Sequence, residues 1–365
     1  MVGNNDMTRK PTVLVAMSGG VDSSVAAALL VERGYRVIGA TIKTFCYSEQ
    51  SGHGRTCCGL DGIIDARRVC DRLGIPHYVF DMEEGFTRDV IDDFVDEYVA
   101  GRTPNPCVRC NSNTKIPDLL RRGRGLGADR IATGHFARVI TGDDGVPRLA
   151  RGRDPAKDQT YFLWGLPRHI ISAIEFPVGD LTKAEVRSIA AEMSLETAEK
   201  PESQEICFVP TGDYGDFLAQ RIGAAHPALT PGALVTPSGE VIGRHSGYAR
   251  YTVGQRRGLG GGRGHPLYVI GVRPATNEVV VGGEDDLYTG TVRIGDLNWL
   301  ETPPQPGDRV DLQIRYRSSP IPGTVVEMNG ESAVIELDRP ARAVTPGQSG
   351  AVYRGEFLVG GGRIR

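Results

Sequence analysis

No apolar run in this chain approaches the roughly 18 residues that a helix needs to cross a bilayer. The first ten residues are polar, with no apolar stretch behind a basic start. Neither a membrane anchor nor a secretory leader is expected, and the expected compartment is the cytoplasm. The lysine-bearing GxxxxGK[ST] loop, which handles the β- and γ-phosphates in kinases and GTPases, occurs nowhere. Beside Cys107 and Cys110, a second CxxC or an HxxxH that would complete a structural zinc site is also missing. Charge of one sign is not in excess either: the formal net charge is −3. That balance argues against a general nucleic-acid coat, but a selective RNA enzyme can carry its positive charge locally. The seven cysteines are an odd number, and in a reducing compartment they point to chemistry or metal rather than to a disulfide scaffold.

What is present is first a length of 365 residues, 40% of them hydrophobic and 24% charged, the balance of a globular chain of two or three domains. Residues 12–17 (TVLVAM) read as a short buried strand, and residues 25–31 (VAAALLV) continue as helix until Gly34, where a C-terminal glycine belongs. Between them stand Ser18, Gly19, Gly20, Val21, Asp22, Ser23 and Ser24. Two glycines permit close backbone approach, and hydroxyls and N–H groups meet at a helix N-terminus. That is an anion site, and phosphate is the expected anion. SGGxDS resembles the pyrophosphate loop of ATP pyrophosphatases, which split ATP into AMP and pyrophosphate to adenylate an oxygen. The plain alternative is a serine-rich cap on an ordinary helix of a dinucleotide-binding type of fold.

The first half alternates strand and helix: strands over 36–42, 76–81 and 130–133, helices over 61–73 and 84–100, and a capping box at residues 182–185 opening a helix to about Leu195. This pattern implies a parallel sheet covered on both faces, with ligands beyond the C-terminal strand ends. After about Thr211 short β-rich runs separated by turns such as Ser238-Gly239 and Asn329-Gly330 suggest small sheets and barrels. Domain boundaries are expected near Thr211 and Asp285, giving domains 1–211, 212–284 and 285–365; Gly258 to Gly264 should be a mobile loop. Candidate basic clusters are Arg121, Arg122 and Arg124; Arg250, Arg256 and Arg257; and Arg315 with Arg317, the last on an expected barrel strand.

Three cysteines sit in loops that suit a reactive thiol. Cys107 and Cys110 lie in Asn105-Pro106-Cys107-Val108-Arg109-Cys110, and Cys207 in a polar loop containing Ser203, Gln204 and Glu205. Cys70 shares a helical face with Ile63, Ala66 and Leu73 and reads as core, Cys46 is uninformative, and Cys57 and Cys58 have no evident partner. The convergent trio leaves two routes open. One is a persulfide relay, in which one thiol carries sulfur and another resolves it as a disulfide. The other is a [4Fe–4S] cluster on three thiolates.

With these motifs in order (AMSGGVDSS, GRTPNPCVRCN, IATGHFARV, RGRDPAKDQTYFLWGL, FPVGDLTKAEVR, SQEICFVP, YTVGQRRGLG and AVTPGQSGAVY) the chain resembles the bacterial tRNA-specific 2-thiouridylases nearly end to end. The resemblance implies an α/β, doubly wound parallel-sheet ATP-pyrophosphatase domain, a small β-rich central domain and a C-terminal β-barrel. ATP would be bound by Ala16, Met17, Ser18, Gly19, Gly20, Val21, Asp22 and Ser23, with Ile42 and Gly134 along its adenine or ribose side, and with Mg²⁺. Cys110 would match the family's nucleophile and Cys207 its persulfide carrier. Asn105, Pro106 and Cys107 would lie against the target base; His135, Lys157, Asp158, Gln159, Arg315, Tyr316 and Gln348 would contact tRNA. The implied partners are a tRNA with uridine at the wobble position and a sulfur-donor protein. Many members carry an aspartate, proposed as a proton-transfer group, where this chain has Cys107. A thiol does not simply inherit that role, and the extra sulfur makes a cluster on Cys107, Cys110 and Cys207 more plausible here.

Two rival functions follow from the same residues. A pyrophosphatase-family amidotransferase or synthetase acting on a small molecule would share the SGGVDS loop but would not need the two cysteine loops. A non-catalytic RNA-binding or redox-sensing protein would keep the cysteines as a switch, and the intact loop argues against it.

Overall fold

The structure is a computed structural model that describes residues 10–44, 60–201, 206–209, 213–259 and 266–365. Cys46, Cys57, Cys58, Ser203, Gln204, Glu205, Thr211 and most of the Gly258–Gly264 loop lie outside the described residues. The chain divides into two compact units, Met1–Thr87 with Arg109–Pro210 and Glu356–Leu358, and Arg88–Val108 with Thr211–Gly355 and Val359–Arg365.

The first unit is built on a parallel five-stranded sheet of β1 (Thr12–Ala16), β2 (Arg36–Lys43), β3 (His77–Asp81), β4 (Arg130–Thr133) and β7 (Ile174–Glu175), in the order β3-β2-β1-β4-β7. The antiparallel pair β5 (Ala137–Thr141) and β6 (Pro147–Arg151) forms a separate hairpin, and Phe357 pairs with Ala150 beside it. Alternation along β1 explains the double covering. Val13 and Val15 are fully buried in the core that takes Val25, Ala26 and Leu30 of helix Val21–Glu32, together with Val186 and Ala190 of helix Lys183–Glu192. Leu14 points the other way, within 3.3 Å of where a Cβ on Gly123 would stand in helix Ile116–Gly125. The strand order switches sides between β1 and β4, so the crevice beyond their C-terminal ends is the place where such sheets bind ligands.

The capping box at Thr182 is present: the Thr182 hydroxyl accepts from the Glu185 N–H, and the Glu185 carboxylate accepts from the Thr182 N–H. The expected helix over 84–100 is present as a helical run over 83–99, with a π-turn set into it. Helix Glu83–Phe86 gives way to a π-turn over Thr87–Ile91 and then to helix Asp92–Val99. Val90 and Ile91 within the π-turn are both buried.

The second unit holds two β-structures. β8 (Gly232–Val235), β9 (Val241–His245), β10 (Tyr268–Arg273) and β11 (Glu278–Gly282) form a sheet in the order β10-β11-β8-β9. β12 (Tyr288–Trp299), β13 (Arg309–Gln313), β14 (Ile321–Met328), β15 (Ser332–Arg342), β16 (Ser349–Arg354) and β17 (Phe357–Ile364) run in the order β12-β15-β14-β13-β16-β17, and β17 also pairs with β12. That last pairing closes the barrel and removes its open edges. Its interior is filled by Ile294, Leu312, Val325, Ile335, Val352 and Val359. Arg315, Tyr316 and Arg317 do not lie on a barrel strand as the sequence suggests. β13 ends at Gln313, whose carboxamide donates to the carbonyls of Arg315 and Tyr316 at 3.1 and 2.8 Å and folds them into a turn.

A candidate nucleotide and sulfur-transfer site

In the first unit, β1 delivers the chain to Ser18 at the sheet's reversal point. The helix that follows has Gly20 as its N-cap and no capping side chain. The N-cap glycine thus offers the first-turn N–H groups no side-chain acceptor, an arrangement that suits an anion. The serines organise the loop: the Ser23 hydroxyl accepts from the Ser18 N–H at 3.2 Å and donates to the Gly20 carbonyl at 3.0 Å, and the Ser18 and Ser23 hydroxyls are 3.1 Å apart.

Close approach fixes two glycines. Gly19 has φ +69°, and a Cβ on it would meet the Gly62 carbonyl oxygen at 2.3 Å. Gly134, just past β4, leaves room for the helix start, since a Cβ there would stand 2.6 Å from the Ser23 nitrogen. Ala16 ends β1, Met17 follows it and Ile42 stands one residue before the end of β2, and the Thr41 hydroxyl donates to the Met17 carbonyl at 2.9 Å.

Two lysines that sequence reasoning missed complete this loop. The Lys183 ammonium donates to both carboxylate oxygens of Asp22 at 2.7 and 2.9 Å and lies 5.7 Å from the centre of the Phe136 ring. The Lys200 ammonium donates to the Gly19 carbonyl at 2.8 Å and to Asp65 at 2.6 Å. The contacts span 161 and 181 residues. The only local signal was the placement of Lys183 inside the capping box and of Lys200 before the Cys207 loop.

Around this centre, Lys157 is half-buried, while Asp158 is almost fully buried and accepts from Arg151, the Gly152 N–H and Thr160. Its carboxylate is engaged within the protein. Gln159 and Phe136 are tied reciprocally: the Gln159 N–H donates to the Phe136 carbonyl, and the Gln159 side-chain oxygen accepts from the Phe136 N–H at 3.0 Å. This holds the segment carrying His135, whose Nδ1 is 2.7 Å from the Thr133 hydroxyl. Burial, reinforced by the Lys115 ammonium, pushes the His135 pKa well below its usual range. The imidazole is therefore neutral at physiological pH.

Cys110 opens a π-turn, Cys110–Lys115, and is half-buried. Cys207 is half-buried as well, and its neighbour Phe208 is anchored edge-on against Phe86 at 5.8 Å. Cys70 is buried, with its thiol pushed up to about 12 by burial and then by Asp71, an inert core thiol as the sequence suggests.

In the second unit, Cys107 is exposed on the short helix Pro106–Arg109, and Asn105 just before it is half-buried. The Arg315 guanidinium donates to the Ala343 carbonyl and, at 3.3 Å, to the Thr345 hydroxyl, whereas Arg317 is exposed and lies 5.9 Å over the Tyr316 ring. Gln348 donates to the carbonyls of Thr103 and Pro104, both at 3.0 Å.

A three-thiolate cluster needs its ligands gathered in one place. Among the described residues no group of three or more His, Cys, Asp or Glu is arranged to hold a metal ion. Nor, among the described residues, is any helix long and apolar enough to cross a membrane.

Family models match the chain in three consecutive stretches: a tRNA methyl transferase HUP domain over residues 11–211, a tRNA methyl transferase PRC-barrel domain over 215–283, and an aminomethyltransferase beta-barrel domain over 289–364. A protein of Geobacter metallireducens named tRNA-specific 2-thiouridylase MnmA is 49% identical, over 96% of this chain and 96% of its own length. Proteins of the same name are 48% identical in Geotalea uraniireducens, over 100% of this chain and 96% of theirs, and 46% in Carboxydothermus hydrogenoformans, over 98% and 99%. The models are described by methyl transfer and the relatives are named for thiolation. Near-half identity along the whole length makes the relatives the closer guide. The chain belongs to the tRNA-specific 2-thiouridylase family.

Proposed function

We propose that this protein is an ATP-dependent tRNA sulfurtransferase that converts the wobble uridine to 2-thiouridine, releasing AMP and pyrophosphate. The observation that carries this reading is the uncapped SGGVDS helix start at the sheet's reversal point, with Lys183 and Lys200 bound to it. A uridine C2 carbonyl is a poor electrophile with oxide as its leaving group. Attack of its oxygen on the α-phosphate of ATP, supplied with Mg²⁺, makes AMP the leaving group instead, and pyrophosphate departs into the loop. Helix N–H groups and the two ammonium groups neutralise the charge that develops there.

Sulfur transfer then uses the thiols. The terminal sulfur of a persulfide on Cys207, charged by a sulfur-donor protein, attacks C2 and expels AMP. The Cys110 thiolate attacks the Cys207 sulfur, forming a Cys110–Cys207 disulfide and leaving the terminal sulfur and its bonding pair on C2 as the thiocarbonyl. A dithiol reductant resets the pair. Asn105, Pro106 and Cys107 face the flipped base in this reading, and the base leaves its stack at a cost of about a few kcal/mol. His135, Lys157, Gln159, Tyr316 and the exposed Arg317 beside it meet tRNA phosphates and bases. The protein works in the cytoplasm, with domains at 1–211, 212–284 and 285–365.

Release of radiolabelled pyrophosphate from ATP, with and without unmodified tRNA, tests the reading. Dependence on tRNA is expected. Release driven by a small acceptor alone moves the protein to the amidotransferase or synthetase class, and no release under any condition removes the enzymatic reading. Iron and acid-labile sulfide measured after anaerobic purification separate the thiol relay from a cluster. Negligible iron with full turnover from a persulfide donor is the expected result.

A further inference from the structure

Within the second unit, the segment Gly101–Pro104 leads directly into Asn105, Pro106 and Cys107, and its backbone is held from outside. The Thr103 N–H donates to the Pro346 carbonyl at 2.8 Å, and the Thr103 hydroxyl donates to the Thr252 hydroxyl at 3.1 Å. The Gln348 carboxamide donates to two successive carbonyls, Thr103 and Pro104, both at 3.0 Å. Prolines at 104 and 106 lack N–H groups and hold Thr103 and Asn105 extended, so no helical ladder forms through the segment.

Gln348 itself is fixed to the barrel. Its carbonyl accepts from the Ile364 N–H at 2.7 Å, and the Gly347 N–H donates to the Ile364 carbonyl at 2.9 Å. Gly347 has φ +91°, and a Cβ on it would come within 2.8 Å of the Thr103 backbone. Barrel turn and loop therefore fit at backbone contact distance.

We propose that Gln348 is a positioning residue for sulfur transfer: its two-carbonyl grip fixes where the barrel holds Asn105, Pro106 and Cys107 against the target base. This rests on the proposed function and gives Gln348 a positioning role besides the tRNA contact that the resemblance implies for it. The barrel then does more than bind tRNA; it sets the geometry of the loop that meets the base.

The test uses the full chain with Gln348→Met, which keeps length but cannot donate, and Gln348→Glu, which sets a carboxylate against both carbonyls. Thiolation kcat at saturating tRNA is expected to fall between about 10- and 100-fold, the usual effect of slight misplacement. Saturating tRNA removes any change in tRNA Kd from this comparison. Hydrogen exchange in the free protein should speed up at the Thr103 N–H and in the 101–107 peptide, with barrel peptides unchanged. An unchanged kcat at saturating tRNA, with the loss confined to tRNA binding, would leave Gln348 an RNA contact only and overturn the proposal. Unchanged exchange over 101–107 would overturn it too. Should both variants unfold, Gln348→Asn, with the carboxamide withdrawn by one methylene, carries the same comparison. Exchange is read without tRNA, so it tests the grip even if the wild-type protein proves to have another substrate.

Discussion

Lys183 and Lys200 place two ammonium groups on one nucleotide loop, and Lys183 does so while almost fully buried and bound to Asp22 through both carboxylate oxygens. An ammonium fixed before pyrophosphate leaves needs no reorganisation when charge develops, which is how preorganised cations lower a barrier. Lys183→Met should therefore cut tRNA-dependent pyrophosphate release about 10²- to 10³-fold, the range seen when one such group is lost. Asp22→Ala should do comparable damage, and the double variant should be far less than additive because the two act as a unit. Additive losses in radiolabelled pyrophosphate release would separate them. His135 gives a prediction of a different kind. Its folded pKa lies well below the ordinary value near 6.5, because burial and then Lys115 disfavour the imidazolium. Below about pH 6.5 the unfolded chain takes up a proton that the native state refuses, so this contribution is complete above that pH and is lost as pH falls. The slope from this one group is at most about 1.4 kcal/mol per pH unit. Urea titrations between pH 7.5 and 5 should show His135→Asn losing less stability on acidification than wild type; parallel curves would contradict the buried neutral imidazole.

At the scale of elements, Gly134 is where β4 meets the first turn of helix Val21–Glu32. A methyl group there would press on the Ser23 nitrogen at 2.6 Å and the Asp22 carbonyl carbon at 2.7 Å, both backbone. Gly134→Ala should cost about 1 to 3 kcal/mol of stability by overpacking. It should also weaken ATP binding, because it tilts the helix start away from the loop. Calorimetric titration with ATP checks the second effect, and wild-type affinity at lowered stability would show that the loop tolerates the shift. How much of this was legible depends on how local the cause is. The strand, SGGVDS turn and helix were readable because a buried apolar run, glycines and hydroxyls within a dozen residues dictate them. The Thr182 capping box was readable for the same reason. The π-turn at Thr87–Ile91 was not, since the buried pair Val90 and Ile91 fits ordinary helical periodicity and nothing in the pattern marks the wider turn. The second π-turn, at Cys110–Lys115, directly follows the CxxC and was equally silent. Lys183 on Asp22 and Gln348 on Thr103 are contacts made by topology across 161 and 245 residues, and nothing near either residue announces them.

For the whole molecule, a net charge of −3 must still accommodate a polyanionic tRNA, so binding depends on where the arginines stand rather than on how many there are. The turn after β13 separates two candidates that the sequence presents as equals. Arg315 directs its guanidinium at the Ala343 carbonyl and the Thr345 hydroxyl, and Ala343 sits at φ +53°, a conformation that a side chain rarely adopts unless its surroundings hold it. Arg317 is exposed and lies over the Tyr316 ring, a cation and a π-face side by side as single-stranded RNA sites use them. The two substitutions should therefore fail differently. Arg317→Ala should reduce the magnitude of the log–log salt slope of tRNA binding by about 1, the value for one lost phosphate contact, at unchanged thermal stability. Arg315→Ala should lower stability by about 1 to 3 kcal/mol, because a buried carbonyl loses a charged donor. Its effect on tRNA should follow from the loosened turn rather than from a missing charge, leaving the slope nearly intact. Filter binding across a salt series, paired with thermal melts of both variants, distinguishes the outcomes. If Arg315→Ala alone changed the slope and Arg317→Ala changed nothing, the RNA would be reaching past the exposed arginine to the one bonded within the protein, and the division of labour argued from this turn would be reversed.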